Sequence, residues 1–206
     1  EATRFLGQQM TLWNQSNIDN VLLTHAHFGH VDGLGLFGRE TMNARGVGLH
    51  ISSEMEHLVD RTPQWSLMVD QGVFTPKIFH DGDALHLSEN LTVQPIQVPH
   101  RDELSDMHAL VVRGPNRSLL FLPDHDTWQE TLGRHHEPTI RSWLASLKVD
   151  IALIDGTFWS SDELAGRNQD KVPHPPVSIT LEMLGSRKED DLSLIHISEP
   201  TRRNSI

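Results

Sequence analysis

The chain has 206 residues, no cysteine, and 17 basic against 28 acidic residues, which give a formal net charge of −11 at pH 7. This length predicts one domain with a substantial core, and the lack of cysteine excludes disulfides and thiolate metal ligands. The acidic balance argues against a nucleic-acid or anionic-membrane surface, and no transmembrane run or signal peptide is visible.

Both ends of the sequence look unlike those of a natural chain. The sequence begins at Glu1 without a methionine, and the residues from Leu192 to Ile206 resemble a translated sequencing adapter. We therefore expect one incomplete domain over residues 1–191 and a non-native tail over residues 192–206, which we leave out of the fold prediction. The sequence predicts neither a compartment nor an oligomeric state.

The first third of the chain predicts helices that alternate with short strands. Apolar spacing over residues 5–16 is typical of an amphipathic helix, and residues 21–24 form an apolar strand. We expect a helix after Gly33 that ends at Gly46, followed by a strand at 47–51. A helix that starts at Ser52 and a short helix at 64–69 come next.

From residue 73 onwards the apolar pattern changes to a period of two, which indicates strands. The predicted strands are 74–79, 84–87, 91–98, 108–113 and 118–122. Residues 137–147 then predict an amphipathic helix, and residues 151–154 are entirely apolar, which favours a central strand. A last helix is expected at 177–184, after two prolines.

Three histidines follow the first predicted strand: His25, His27 and His30. Residues two apart in an extended segment point to the same side, so His25 and His27 share a direction. Because imidazole is a common ligand for zinc and also suits iron, this stretch predicts a metal site.

Other candidate residues also come directly after apolar strands. His100 follows the strand 91–98, Asp124 follows 118–122, and Asp155 follows 151–154. Since residues at strand ends converge on one rim in layered sheet proteins, we expect these side chains to join the histidine loop.

The stretch Thr24-His-Ala-His-Phe-Gly-His-Val-Asp-Gly33 resembles the T-H-x-H-x-D-H-x-x-G signature of the metallo-β-lactamase superfamily, with Gly29 at the Asp position. The resemblance implies an α/β fold, the four-layer αββα sandwich, without its first strands and its last. It also implies a zinc cofactor of one or two ions, with iron as the alternative.

The resemblance assigns a role to each candidate ligand. It implies that His25, His27 and His100 hold a first metal ion, and that His30 and Asp124 hold or share a second. Gly29 has no side chain to donate, so the second site is expected to be weakened or reshaped. The superfamily's last histidine ligand is not found in residues 185–191, and we reject His196 because it lies in the adapter-like tail.

A second block of sequence narrows the resemblance. The segments Leu153–Leu164, Gly166–Asn168 and Pro173–Pro175 resemble the branch that contains coenzyme PQQ synthesis protein B. A carboxylate beside a histidine fixes its tautomer and raises its basicity, so Asp155 can orient His174 as a general acid, as a Glu–His pair does in tRNase Z relatives. The alternative is that Asp155 caps its own turn and His174 only precedes a helix.

The leading hypothesis is metal-dependent hydrolysis, in which a metal-bound hydroxide attacks an ester, amide or phosphoester of a small molecule or peptide. One rival is a non-heme iron oxidoreductase or hydroxylase linked to pyrroloquinoline quinone biosynthesis. The other is a non-catalytic carrier or binding protein.

Of the residues near the expected ligands, Arg101 is expected to support His100 rather than to act in catalysis, and Asp126 is a further candidate ligand.

Overall fold

The computed structural model describes residues 1–163, 172–186 and 193–197. Two β-sheets face each other, and helices cover their outer faces, so the predicted α/β four-layer sandwich is confirmed. The Gly166–Asn168 sequence, which helped to narrow the resemblance, lies outside the described residues. Among the described residues, no helix has the length and apolar character needed to cross a membrane.

The first sheet contains three parallel strands in the order β1 (Asn20–Leu22), β2 (Val47–Ser52) and β3 (Phe74–Phe79). All six residues of β2 are buried, as expected for the central strand of a parallel sheet covered on both faces. Strand β1 ends just before the histidine loop, so the sheet presents that loop at the carboxyl end of its strands.

Five helical segments follow or flank this sheet and share one apolar core with it. They are α1 (Leu6–Trp13), α2 (Phe28–Val31), a 3-10 helix (Asp32–Phe37), α3 (Ser53–Arg61) and α4 (Pro63–Asp70). The side chain of Ser52 accepts a hydrogen bond from the Met55 backbone N–H at 3.3 Å and so caps α3.

The prediction of one helix from Gly33 to Gly46 was wrong. Helical structure there ends with the 3-10 helix at Phe37, and turns lead on to β2. Glycine is a poor helix former, and residues 33, 35 and 38 are all glycine. Gly33 also lies against the chain start, where a Cβ atom would come within 2.3 Å of the Thr3 carbonyl oxygen.

The second sheet has six strands in sequential order, antiparallel from β4 to β7 and parallel from β7 to β9. The strands are β4 (Leu85–Ser88), β5 (Leu91–Gln97), β6 (His108–Arg113), β7 (Ser118–Leu122), β8 (Ile151–Asp155) and β9 (Ser193–Ile197). Strand β9 falls within the segment expected to be adapter-encoded, and the adapter origin of residues 192–206 stays a prediction.

Three helices pack on the second sheet around Trp128, Trp143 and Leu184. They are α5 (Trp128–Arg134), α6 (Ile140–Ser146) and α7 (Val177–Leu184). Helix α5 was not predicted, although Thr127 and Glu130 form an N-terminal pair that could have revealed it. The Thr127 hydroxyl accepts a hydrogen bond from the Glu130 backbone N–H at 3.1 Å.

His125 lies between the end of β7 and helix α5, and it is fully buried. Its Nδ1 is 2.9 Å from the Thr131 hydroxyl, its ring packs edge-on against Trp128 at 4.5 Å, and its Nε2 has no hydrogen-bond partner. Burial lowers the pKa of His125 from its ordinary 6.5 to about 4. The neutral imidazole is therefore the form that packs in the folded protein.

We expect the metal-free protein to lose stability as the pH falls from 6.5 towards 4, because the unfolded chain protonates His125 before the folded chain does. Between pH 7 and pH 5 this contribution is about 2 kcal/mol, at 1.36 kcal/mol for each pH unit below 6.5. Urea unfolding at both pH values should show that His125→Asn is less sensitive to acid than the parent. The exposed His57→Asn serves as the control and should behave like the parent. Equal acid sensitivity of His125→Asn and the parent would contradict this assignment.

Candidate metal centre

The loop that carries His25 and His27 is held in place by the second sheet. The carbonyl of Thr24 accepts a hydrogen bond from the His108 backbone N–H at 3.0 Å. The backbone N–H of Ala26 donates to the Ser105 hydroxyl at 3.1 Å. These two bonds fix the backbone on both sides of His25, so its side chain reaches the gap between the sheets.

Four side chains converge at this point: His25, His27, His100 and Asp124. The Nδ1 atom of His27 is 3.0 Å from His25 Nε2 and 3.2 Å from His100 Nε2. Asp124 Oδ2 is 3.2 Å from His25 Nε2, and one donor atom from each of the four residues lies within 4.8 Å of all the others. The structure thus brings together four of the five residues that the sequence nominated as metal ligands.

The ring nitrogen that each histidine turns away from the cluster has an oxygen partner. His100 Nδ1 donates to Asp126 Oδ1 at 3.0 Å, and His27 Nε2 donates to Glu103 Oε1 at 3.3 Å. His25 Nδ1 lies 3.0 Å from the Thr24 hydroxyl, which itself donates to the Glu1 carboxylate. The protons of the His27 and His100 imidazoles therefore lie on their outer nitrogens, because a carboxylate can only accept.

This arrangement directs the lone pairs of His27 and His100, the Nε2 of His25 and the Asp124 carboxylate towards one point. Such groups repel unless a cation lies among them, and nitrogen and carboxylate donors are the set that zinc and iron accept. The outer oxygen partners are those that orient histidine ligands in metal proteins. The residues present therefore suit a divalent metal ion.

His30 lies at the edge of the cluster, between two carboxylates. Its Nε2 is 3.0 Å from Asp124 Oδ2, and its Nδ1 is 3.3 Å from Glu1 Oε1. Burial alone would lower the pKa of His30, but the hydrogen bonds and charges of Asp124 and Glu1 raise it to about 10. His30 is thus a cation beside Asp124 in this structure, and its assignment as a ligand of a second ion stays a prediction. A Cβ at Gly29 would meet no atom within 4 Å, so the position of the missing acidic ligand is sterically open.

A second buried group adjoins the first and consists of Asp155 and His174. His174 Nδ1 is 2.7 Å from Asp155 Oδ2, while Asp155 Oδ1 accepts hydrogen bonds from the backbone N–H and hydroxyl of Thr157 at 3.0 and 2.9 Å. The His174 ring lies 5.4 Å from that of His100, and its Nδ1 is 3.8 Å from Asp124 Oδ1. Asp155 therefore makes the cap that the sequence offered as an alternative and orients His174 as well.

The charge on Asp155 also affects the protonation of His174. Burial alone would lower the pKa of His174, but the hydrogen bond and charge of Asp155, together with the charge of Asp124, raise it above its ordinary value. In the folded protein His174 therefore carries a proton more readily than a free histidine does.

Several residues around the centre were not identified from the sequence as partners of the histidine loop. Glu103 and Ser105 act across separations of 76 and 79 residues, and no local pattern marks such pairs. Thr24 is part of the histidine motif itself, and its hydroxyl could have been read as a partner of His25. Asp126, a candidate ligand from the sequence, instead contacts the outer nitrogen of His100.

We expect Asp126→Asn to weaken zinc binding by about 10- to 100-fold, because the amide cannot hold the His100 ring as the carboxylate does. Competition with a chromophoric chelator measures the affinity. Asp102→Asn removes the same charge from an exposed position in the same loop and should leave the affinity within about 2-fold of the parent. Equal effects of the two substitutions would mean that only the local charge, and not the contact with His100, influences binding.

A family model described as a beta-lactamase superfamily domain matches residues 2–197. Among solved structures, Zn²⁺-bound PqqB from Methylobacterium extorquens is 15% identical over 85% of this chain and 62% of that chain, with a TM-score of 0.66. YhfI, a metallo-beta-lactamase fold protein from Bacillus subtilis, is 12% identical over 84% and 62%, with a TM-score of 0.59. A diphosphatase from the PhnP family is 17% identical over 89% and 61%, with a TM-score of 0.58.

At these identities the similarity concerns the fold. The chain spans 61–62% of the length of these three solved structures. No curated protein sequence matches it.

Proposed function

Because the chain belongs to the beta-lactamase superfamily, we propose that it is a metal-dependent hydrolase that cleaves an ester, amide or phosphoester bond of a small molecule or peptide. The observation that carries the proposal is the convergence of three imidazole nitrogens and the Asp124 carboxylate. The diphosphatase among the similar structures is a hydrolase of the same fold and supports this reaction class.

His25, His27, His100 and Asp124 are the residues that would hold the ion. A zinc or similar ion supplies Lewis-acid stabilisation of developing negative charge and lowers the pKa of water to about 7. The protein's own contribution is to fix the donors: Thr24, Glu103 and Asp126 hold the three rings from outside, so the site needs little rearrangement to accept the ion.

The pair of Asp155 and His174 supplies the proton for the leaving group. Asp155 accepts a hydrogen bond from the Nδ1–H of His174, which leaves the Nε2 proton of the imidazolium for transfer to the departing oxygen or nitrogen. The pair is almost completely buried, with side-chain exposures of 0% for Asp155 and 9% for His174. Because burial excludes competing water, the proton is held next to the reacting bond rather than lost to solvent.

We also propose that the chain belongs to the branch of the superfamily that contains coenzyme PQQ synthesis protein B. Zn²⁺-bound PqqB is among the similar structures, and the Asp-Gly-Thr segment after β8 carries the sequence resemblance. A site with two histidines and a carboxylate also suits non-heme iron, so metal identity separates the hydrolase from the oxidoreductase.

The test is metal content by elemental mass spectrometry, followed by assays of nitrophenyl esters and phosphodiesters with the metal-loaded chain. Zinc bound near one or two per chain together with turnover of any of these substrates would support the proposal. Iron bound together with substrate-dependent oxygen consumption would replace it with the redox function. Metal binding without turnover or oxygen use would favour a carrier, and failure to bind metal after reconstitution would also remove the ligand assignments.

A further inference from the structure

Arg101 directly follows His100, and its backbone is fixed against the metal centre. The backbone N–H of Asp126 donates to the carbonyl of Pro99 at 2.9 Å, and the backbone N–H of Arg101 bonds to the Asp126 carboxylate. Because the His100 ring is completely buried, this backbone can shift little. The Arg101 side chain therefore starts from a fixed point beside the cluster.

The guanidinium of Arg101 has donors that the described residues do not satisfy. Its Nε is buried and has no hydrogen-bond partner. Its nearest anionic contact is a long ion pair, 3.9 Å from Nη1 to Glu103 Oε1, and the same oxygen accepts a hydrogen bond from His27. Buried donors are nearly always hydrogen-bonded in native proteins, so this arginine lacks an acceptor.

The position of the charge indicates where that acceptor would bind. Glu103 Oε1, which lies 3.9 Å from Arg101 Nη1, also accepts the hydrogen bond from His27 Nε2 at 3.3 Å, so the guanidinium lies one side chain away from the His27 ring. With 35% of its side chain exposed, it can meet a molecule that enters from solvent.

We propose that Arg101 binds an anionic group of the substrate, either a carboxylate or a phosphoryl group, next to the bond that is cleaved. The planar guanidinium presents parallel N–H donors that match two oxygens of such a group. In a chain of net charge −11, an anionic substrate needs local positive charge, which Arg101 provides beside the metal centre. This inference rests on the proposed hydrolase function and narrows its substrates to molecules that carry an anionic group near the cleaved bond.

The kinetic test compares two esters with the same leaving group: 4-nitrophenyl hemiglutarate, which is anionic, and 4-nitrophenyl butyrate, which is neutral. For Arg101→Met we expect the ratio of their kcat/KM values to fall by about 10- to 100-fold, the size of a lost charge-assisted hydrogen bond, mostly through KM. Arg101→Lys should recover part of the ratio. A merely structural role for Arg101 would lower both rates together and leave the ratio unchanged.

Arg117→Met is the matched control, because it removes the same type of side chain far from the metal centre. Arg117 precedes the start of β7, whereas Asp124 follows its end, and Arg117 pairs with Asp150 at 3.6 Å. It should leave the ratio as in the parent. A binding measurement tests the same idea without turnover: titration calorimetry of the metal-loaded protein with phenylphosphonate and with benzoate. Arg101→Met should weaken the binding of the preferred anion at least 10-fold. The anion that the parent binds more tightly shows whether a phosphoryl group or a carboxylate is recognised.

The two failures can be told apart. If the parent hydrolyses the esters while Arg101→Met changes neither the ratio nor anion binding, the role of Arg101 is wrong and the hydrolase proposal stands. If the parent hydrolyses neither ester, nor any other tested, the hydrolase proposal fails. In that case the calorimetric comparison of parent and Arg101→Met still decides whether Arg101 binds anions.

Discussion

His100→Ala should abolish metal binding at the candidate centre and lower kcat/KM by at least about 10³-fold, because a metal-dependent reaction loses several kcal/mol of charge stabilisation without its ion. The substitution removes one of three inward-facing nitrogens and the hydrogen bond from His100 Nδ1 to the Asp126 carboxylate. His25, His27 and Asp124 remain as donors, but the ligand that follows strand β5 of the second sheet is lost. His27→Ala should also abolish metal binding, because it removes a ligand from the loop that follows the first sheet's strand β1.

The measurement is metal stoichiometry by elemental mass spectrometry on protein dialysed against zinc, with the rate determined on the same sample. His57→Ala, an exposed histidine on α3, removes an imidazole elsewhere and should keep both metal and rate. Thermal unfolding of the metal-free forms shows whether His100→Ala still folds. Unchanged metal content in a folded His100→Ala protein would refute the ligand assignment.

His174→Ala should keep the bound metal and lower kcat by about 10²- to 10⁴-fold, the usual contribution of a positioned general acid. His174 lies beside the centre and contacts Asp155, whereas its Nδ1 is 3.8 Å from Asp124. The loss should depend on the leaving group. Nitrophenolate departs without help, so nitrophenyl esters should be affected least, and alkyl or unsubstituted phenyl esters should be affected most.

Asp155→Asn provides the companion experiment. The amide keeps the shape of Asp155 but weakens its hold on the His174 Nδ1 proton, so it should reproduce the leaving-group dependence in milder form. His57→Ala again serves as the control for loss of an imidazole. A loss that is equal for good and poor leaving groups would exclude proton donation by His174. Loss of metal from His174→Ala would instead make His174 a ligand.

Much of this architecture could be predicted from apolar periodicity. The end of β7 at Leu122 was predicted as observed, and β1 and β8 end within two residues of the predicted positions 24 and 154, because buried strands have continuous or alternating apolar patterns. The gathering of His25, His27, His100 and Asp124 followed from the same reasoning together with the superfamily resemblance, which the family model confirms.

Other features depended on contacts that the local sequence does not encode. Gly33 packs on the backbone of the chain start, so the segment after it turns instead of forming the helix predicted up to Gly46. Helix α5 has only two apolar residues, Trp128 and Leu132, so its apolar pattern is too sparse to identify. Glu103 is exposed and unremarkable in sequence, and only the fold shows that it faces His27.

The candidate centre also joins the two halves of the protein. His25 and His27 follow the first sheet, whereas His100 and Asp124 follow strands of the second, and each sheet has its own apolar core. An ion bound by all four side chains would link the two sheets, so its binding free energy would add to the free energy of unfolding of the whole molecule. An ion present at 100 times its dissociation constant stabilises a fold by about 2.7 kcal/mol. Metal binding would then stabilise the contact between the two halves as well as complete the candidate centre.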